Sequence, residues 1–163
     1  MRGYKYGEID GVRNFSDSYI MSLWDKIVEE GKDKSINVIS DKWERKDFLR
    51  SVRSGRFHLW IFFEGKRLIG LIWVTNLRPK RAELHFCTFN GFKDIIRYGK
   101  LAQATIIDYY GLDVLYGFTP SNNRTAIKYL YKLGWKELGI LPKGSYVASE
   151  GKSIDSVIMY LEA

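Results

Sequence analysis

The sequence predicts an α/β (α+β) domain, and three observations predict it. Stretches with apolar residues at helical spacing are interleaved with short strand-like runs in the order βααβββαβαββ. Three of those strands follow one another as an antiparallel meander, which precedes a β-α-β unit. No internal repeat, low-complexity tract or Pro/Gly-rich linker divides the 163 residues, so one domain over 1–163 is expected.

Each element has its own local reasons. "GYKYGEI" reads as a first strand. In "FSDSYIMSLWDKIVEEG", Tyr19, Leu23, Ile27 and Ile20, Trp24, Val28 form two adjacent i+4 rows, the wide apolar face of a helix. Ser16 suits its N-cap, Phe15 and Ile20 a hydrophobic staple, and Gly31 the left-handed position after its end. A second helix is expected over 43–54, with Trp24 and Trp43 as packing residues. "RFHLWIFF", the turn "EGKR" and "LIGLIWVTN" then read as a β-hairpin. "RAELHFCTF" is the third strand of the meander. Its alternation places Ala82, Leu84, Phe86 and Thr88 on one face, and Glu83, His85, Cys87 and Phe89 on the other. A helix lies within "FKDIIRYGKLAQATIIDYYG", with Ile95, Tyr98, Ala102, Thr105 and Tyr109 at helical spacing and Gly111 ending it. "DVLYGFTP" is a short strand and "NNRTAIKYLYKLG" a short helix. "WKELGILP" and "SIDSVIMYLE" close the chain as strands.

Composition narrows the classes of function. The chain is 45% hydrophobic and 15% aromatic, too apolar for disorder. Its apolar runs are strand-length, no membrane span is expected, and "MRGYKYGEID" lacks the apolar core of a signal peptide. A single cysteine, Cys87, rules out an internal disulfide and fits a reducing cytoplasm. With two histidines beside it, a structural zinc site is not expected. The net charge of +7 favours anionic partners without choosing among a phosphate-bearing cofactor, nucleic acid and an acidic protein. Lys46, Arg50 and Arg53 recur on one face of the second helix. Such a stripe is either a solvated surface or a nucleic-acid contact.

Taken together, the order of elements and certain words resemble the GNAT (GCN5-related N-acetyltransferase) superfamily. "EGKRLIGLIWV" looks like its β2–β3 hairpin, and "AELHFCTF" falls where its central strand does. "LYGFTPSNNRTAIKYLYKLGWKELG" is similar to its β5–α4–β6 block, with Asn123, Ala126, Gly134 and Trp135 in frame, and "DSVIMYLE" matches its closing strand. The resemblance covers most of the chain, is strongest from residue 114 onward and weak before residue 57. It implies a three-layer fold, with helices on both faces of a mixed, mostly antiparallel twisted sheet.

The resemblance also implies a cofactor. In GNAT proteins two central strands splay, and the pantetheine arm of acetyl-CoA, here the acyl co-substrate, lies in the gap like an added strand. It would meet the backbone of Phe86, Cys87 and Thr88. Asn123 would offer its amide to the cofactor, or else act as a helix N-cap. The family's pyrophosphate loop, Q/R-x-x-G-x-G/A, has a degraded counterpart in "IRYGKL". There Ile96 replaces the polar residue, Gly99 fits, and Leu101 replaces the small one. A second placement starts the helix near Lys93, with "FNGFKD" as the phosphate-side loop and Gly99 inside the helix; the apolar spacing favours it. Lys93, Arg97 and Lys100 would approach phosphate in either placement. Degraded loops of this kind also resemble GNAT-like proteins of phages and prophages.

Acyl transfer to an amine needs a base for the ammonium proton and gains from an acid for the departing thiolate. Glu83 and His85, on one face of the family's base-bearing strand, are the candidate bases. The family's usual acid, a tyrosine seven residues after the motif Asn, is here Leu130, flanked by Tyr129 and Tyr131, of which Tyr131 is the preferred candidate. Two functions follow. One is an acyl-CoA-dependent N-acyltransferase acting by direct transfer on an unidentified amine. The other is a non-catalytic binding or phage-assembly module of the same fold. A homodimer is compatible with both, and nucleic-acid binding lacks a recognised motif.

Overall fold

A computed structural model describes residues 2–5, 15–33, 43–55, 57–147 and 150–163. The elements are β1 (Arg2–Lys5), α1 (Asp17–Glu29), α2 (Arg45–Arg53), β2 (His58–Glu64), β3 (Arg67–Arg78) and β4 (Arg81–Thr88). They continue with α3 (Ile95–Tyr110), β5 (Val114–Pro120), α4 (Arg124–Leu133), β6 (Lys136–Val147) and β7 (Lys152–Glu162). This is the order read from the sequence. The strands form one seven-stranded sheet in the order β1-β2-β3-β4-β5-β7-β6. Its ladders are antiparallel for β1/β2, β2/β3, β5/β7 and β6/β7 and parallel for β4/β5. Of the expected first strand, the part beyond Lys5 lies outside the described residues.

The chain gathers into two compact units, 1–75 with 85–92, and 76–84 with 93–163. In the first, α1 is capped by Ser16, whose hydroxyl accepts from the Tyr19 amide at 3.2 Å, and Gly31 takes φ 66°. Phe15 stacks on Tyr19 with centroids 5.5 Å apart, so its aromatic partner on α1 is the residue before Ile20. Glu44 and Asp47 form a capping box on α2. Ile20, Leu23, Trp24 and Ile27 of α1 and Phe48 and Val52 of α2 bury themselves with Leu59, Ile61, Leu71 and Trp73 of the hairpin. Trp24 and Trp43 are packing residues, 6.0 Å apart. Arg53 turns inward to pair with Asp17 and Arg50 pairs with Asp47, so Lys46 is the only member of the expected basic stripe left out of these pairings.

In the second unit, α3 ends at Gly111 (φ 60°) and α4 at Gly134 (φ 99°), both left-handed as the helix ends require. The buried row of α3 is Tyr98, Ala102, Gln103 and Ile106. Tyr109, expected on that face, is exposed. The apolar spacing read from the sequence tracked a face rotated from the buried one, because buried Gln103 hides in it as a polar letter. Both ends of the Gln103 amide are engaged: its Nε2 donates to the Leu133 carbonyl at 3.0 Å and its Oε1 accepts from Trp135 Nε1 at 3.1 Å. That fixes the exit of α4 against α3.

Candidate active site

Strand β4 carries the candidate bases. Glu83, in the second unit, is buried, and its Oε2 accepts from Asn76 Nδ2 at 2.6 Å. The parallel ladder to β5 pairs Arg81 with Val114, Ala82 with Leu115 and Glu83 with Tyr116, and ends there. From that point β5 continues to Pro120 in register with β7. Tyr116, registered opposite Glu83, is half-buried. Burial raises its phenol pKa, the Glu83 charge raises it further, and Arg81 and Arg78 oppose both.

His85, two residues along the same face, belongs to the first unit. Its Nε2 is 3.0 Å from Thr75 Oγ1, and its ring lies nearly parallel to that of Trp73, 5.8 Å between centroids. Phe86 and Thr88 are half-buried and Cys87 is buried. The Thr88 carbonyl accepts from the ammonium of Lys32, which also pairs with Glu30 at 2.9 Å and donates to Asn90 Oδ1 at 3.2 Å. Burial pushes the Cys87 thiol up to about 12, with Lys32 opposing and Glu30 adding to the shift. Cys87 is therefore expected to behave as a small apolar core residue. Alkylation at pH 8 should run about 10³-fold slower in the native protein than in urea, following the thiolate fraction. Equal rates in the two states would contradict that placement.

Helix α3 begins at Ile95, as the second placement of the phosphate region expects. Its N-terminal end opens on a groove of about 610 Å³ lined by Lys93, Asp94, Ile96, Arg97, Lys100 and Leu101. Three cations against one carboxylate leave the lining net positive. Asp94 makes no side-chain cap bond, so the first-turn amides and the helix dipole add to that field. Gly99 is the fifth residue of α3 and not part of a loop. A Cβ there would lie 2.7 Å from Leu133 Cδ2 and closer still to the Tyr129 hydroxyl. Its missing side chain lets α4 approach, and its position inside the helix is the one the second placement expects.

On α4, Asn123 caps the helix, its Oδ1 accepting from the Ala126 amide at 3.1 Å. The cap reading thus accounts for the side-chain oxygen. Leu130 is buried at 3% exposure. Tyr129 donates to the Ile95 carbonyl at 3.1 Å, and burial pushes its phenol up to about 12. Tyr131 is exposed and donates to Glu137 Oε2 at 2.7 Å; that hydrogen bond raises its pKa. The fold therefore brings Lys93, Arg97 and Lys100 together, and sets Asn76 and Tyr116 beside Glu83. It turns Tyr131 toward Glu137. Sequence reasoning missed Asn76, Tyr116 and Lys32. An Asn closing a β-rich run, as in "WVTN", was the one local signal available for them.

Among the described residues there is no cluster of three or more metal-ligating side chains, and no helix is long and apolar enough to cross a membrane.

This architecture is the fold of the GCN5-related N-acetyltransferases. The chain is similar to a spermidine N-acetyltransferase, SpeG, from Vibrio cholerae, solved in complex with CoA and spermine, with TM-score 0.71, 13% identity and coverage of 98% of this chain and 95% of that one. It is similar to RimL, a ribosomal L7/L12 alpha-N-protein acetyltransferase, with TM-score 0.73, 13% identity and coverage of 93% and 88%. A ribosomal-protein-S5-alanine acetyltransferase from Vibrio fischeri aligns with TM-score 0.70, 11% identity and coverage of 92% and 91%. No family model matches the sequence, and no curated protein matches it.

Proposed function

We propose that the protein is an acyl-CoA-dependent N-acyltransferase, a member of the GNAT superfamily, that transfers an acetyl group directly to an amine. The observation that carries this reading is the cationic groove of Lys93, Arg97 and Lys100 at the start of α3, in a fold whose solved neighbours include a CoA complex. Backbone amides at a helix start, flanked by cations, suit a pyrophosphate or a 3′-phosphate. Within the second unit the parallel β4/β5 ladder runs to Glu83 and Tyr116. An extended chain such as a pantetheine arm is bound through backbone donors and acceptors along a strand. The backbone of Phe86, Cys87 and Thr88 and the Asn123 amide are the groups proposed to receive that arm.

In the proposed reaction the acceptor ammonium gives its proton to a base, Glu83 or His85. The amine then attacks the thioester carbonyl. The tetrahedral intermediate then gives up its second nitrogen proton and collapses, breaking the C–S bond; the CoA thiolate takes up one proton, from an acid or from water, and one proton is released overall. Tyr131 is the proposed acid, and to act it must release Glu137. The neighbours that act on spermidine and on ribosomal-protein amines make polyamines and peptide α-amines the first acceptors to try.

Calorimetric titration with CoA, dephospho-CoA and acetyl-CoA tests the cofactor assignment. Single substitution of Lys93, Arg97 or Lys100 by Ala should weaken CoA binding by about 1.5–3 kcal/mol for a residue that meets phosphate. The residue meeting the 3′-phosphate should lose nothing toward dephospho-CoA. Uniformly unchanged affinities would make the groove an ordinary charged surface. The buried Leu130 at the family's acid position favours a second reading, a CoA-binding module without turnover. A screen of amines, polyamines, amino acids and lysine peptides separates the two.

A further inference from the structure

Asn76 has no counterpart in the family motifs, yet its place in the fold is unusual. It lies within β3 at φ 48°, a left-handed conformation that among residues with a side chain Asn tolerates best. From there its Nδ2 donates to Glu83 Oε2 at 2.6 Å. Glu83 is buried at 9% exposure and registered against Tyr116, whose own titration feels the Glu83 charge together with Arg81 and Arg78. Burial disfavours the charged carboxylate, and a hydrogen bond donated to it favours that form. The groups that face Glu83 include an amide from β3 and the phenol registered beside it on β5, with Arg81 and Arg78 the cations acting on that phenol; His85 follows on its own strand.

We propose that Asn76 is a positioning residue: its amide holds the Glu83 carboxylate ionised and in one orientation, and so sets the pH at which Glu83 accepts a proton. The proposal rests on the acyltransferase reading only for the use made of that proton. A strained backbone conformation kept inside a strand, at the residue whose side chain reaches the one buried carboxylate of β4, fits a role beyond holding the sheet together.

Asn76→Gly removes the amide and keeps φ 48° accessible. Asn76→Asp keeps the shape and replaces the donor with a like charge. The Glu83 carboxyl is followed directly by carbon-13 NMR titration of glutamate-labelled protein, its signal assigned by loss in Glu83→Gln. In Asn76→Gly the titration should move up by about one to two pH units, the size of a lost hydrogen bond to a charged group. It should move further in Asn76→Asp. The rising limb of kcat/KM against pH should move by the same amount, since a raised pKa leaves less carboxylate at any lower pH. A Glu83 titration unmoved in both variants overturns the proposal. So does a moved titration with an unmoved rate limb in an active enzyme. A moved titration in a protein that acylates no amine upholds the coupling of Asn76 to Glu83 and removes the acyltransferase reading instead.

Discussion

Glu83→Gln is expected to lower kcat for amine acylation about 10²–10⁴-fold, the usual contribution of a positioned proton acceptor. The affinity for acetyl-CoA should be unchanged. The substitution is nearly isosteric, and a glutamine carbonyl can still accept from Asn76, so the buried pocket keeps its hydrogen bond and its volume. What disappears is the capacity to take the ammonium proton. Of the two candidate bases the geometry favours Glu83: it is buried, it sits at the end of the β4/β5 ladder, and Asn76 fixes it. His85 already contacts Thr75 and stacks on Trp73. Single-turnover rates across pH in Glu83→Gln and His85→Ala would assign the base. Full activity in Glu83→Gln with loss in His85→Ala would transfer the role to the imidazole.

Trp73→Ala is expected to destabilise the first unit by about 3–5 kcal/mol, the range for truncating a large aromatic in a packed core. Trp73 is 1% exposed and stacks on Phe57 at 5.3 Å as well as on His85 at 5.8 Å. Its deletion opens a cavity and leaves the imidazole without one wall. Trp73→Phe should cost far less. The indole Nε1 is buried without a hydrogen-bond partner among the described residues, and phenylalanine removes that unmet donor along with some volume. Urea midpoints for the two variants measure the difference. Equal losses would mean that the orphan N–H has a partner and that cavity volume alone does not govern the site.

Most of the element order was legible because its signals are local. Ser16 caps α1 with its own hydroxyl, Gly111 and Gly134 end their helices in the left-handed region, and Asn123 caps α4. Each such signal acts within a few residues of chain, where sequence spacing is also spatial spacing. The basic cluster Lys93, Arg97 and Lys100 was named from the family resemblance, and its members lie close together in sequence around one helix start.

The site was less legible because its decisive contacts join residues far apart in sequence. The motif left Gly99 either in a phosphate loop or inside the helix; tertiary structure puts it within α3, where the lack of a side chain lets Tyr129 and Leu133 come close. The sequence alone determined that Tyr129 and Tyr131 flank the position of Leu130. Only tertiary structure decided that one phenol reaches across to Ile95 and the other to Glu137. Likewise the sequence put Glu83 on a strand face, while the β3 turn of backbone at Asn76 and the register of β5 gave it an amide and a phenol for company. Periodicity specifies which side of an element is apolar, but the partner of a polar side chain is fixed by how separate elements pack, and no short window of sequence contains that distance.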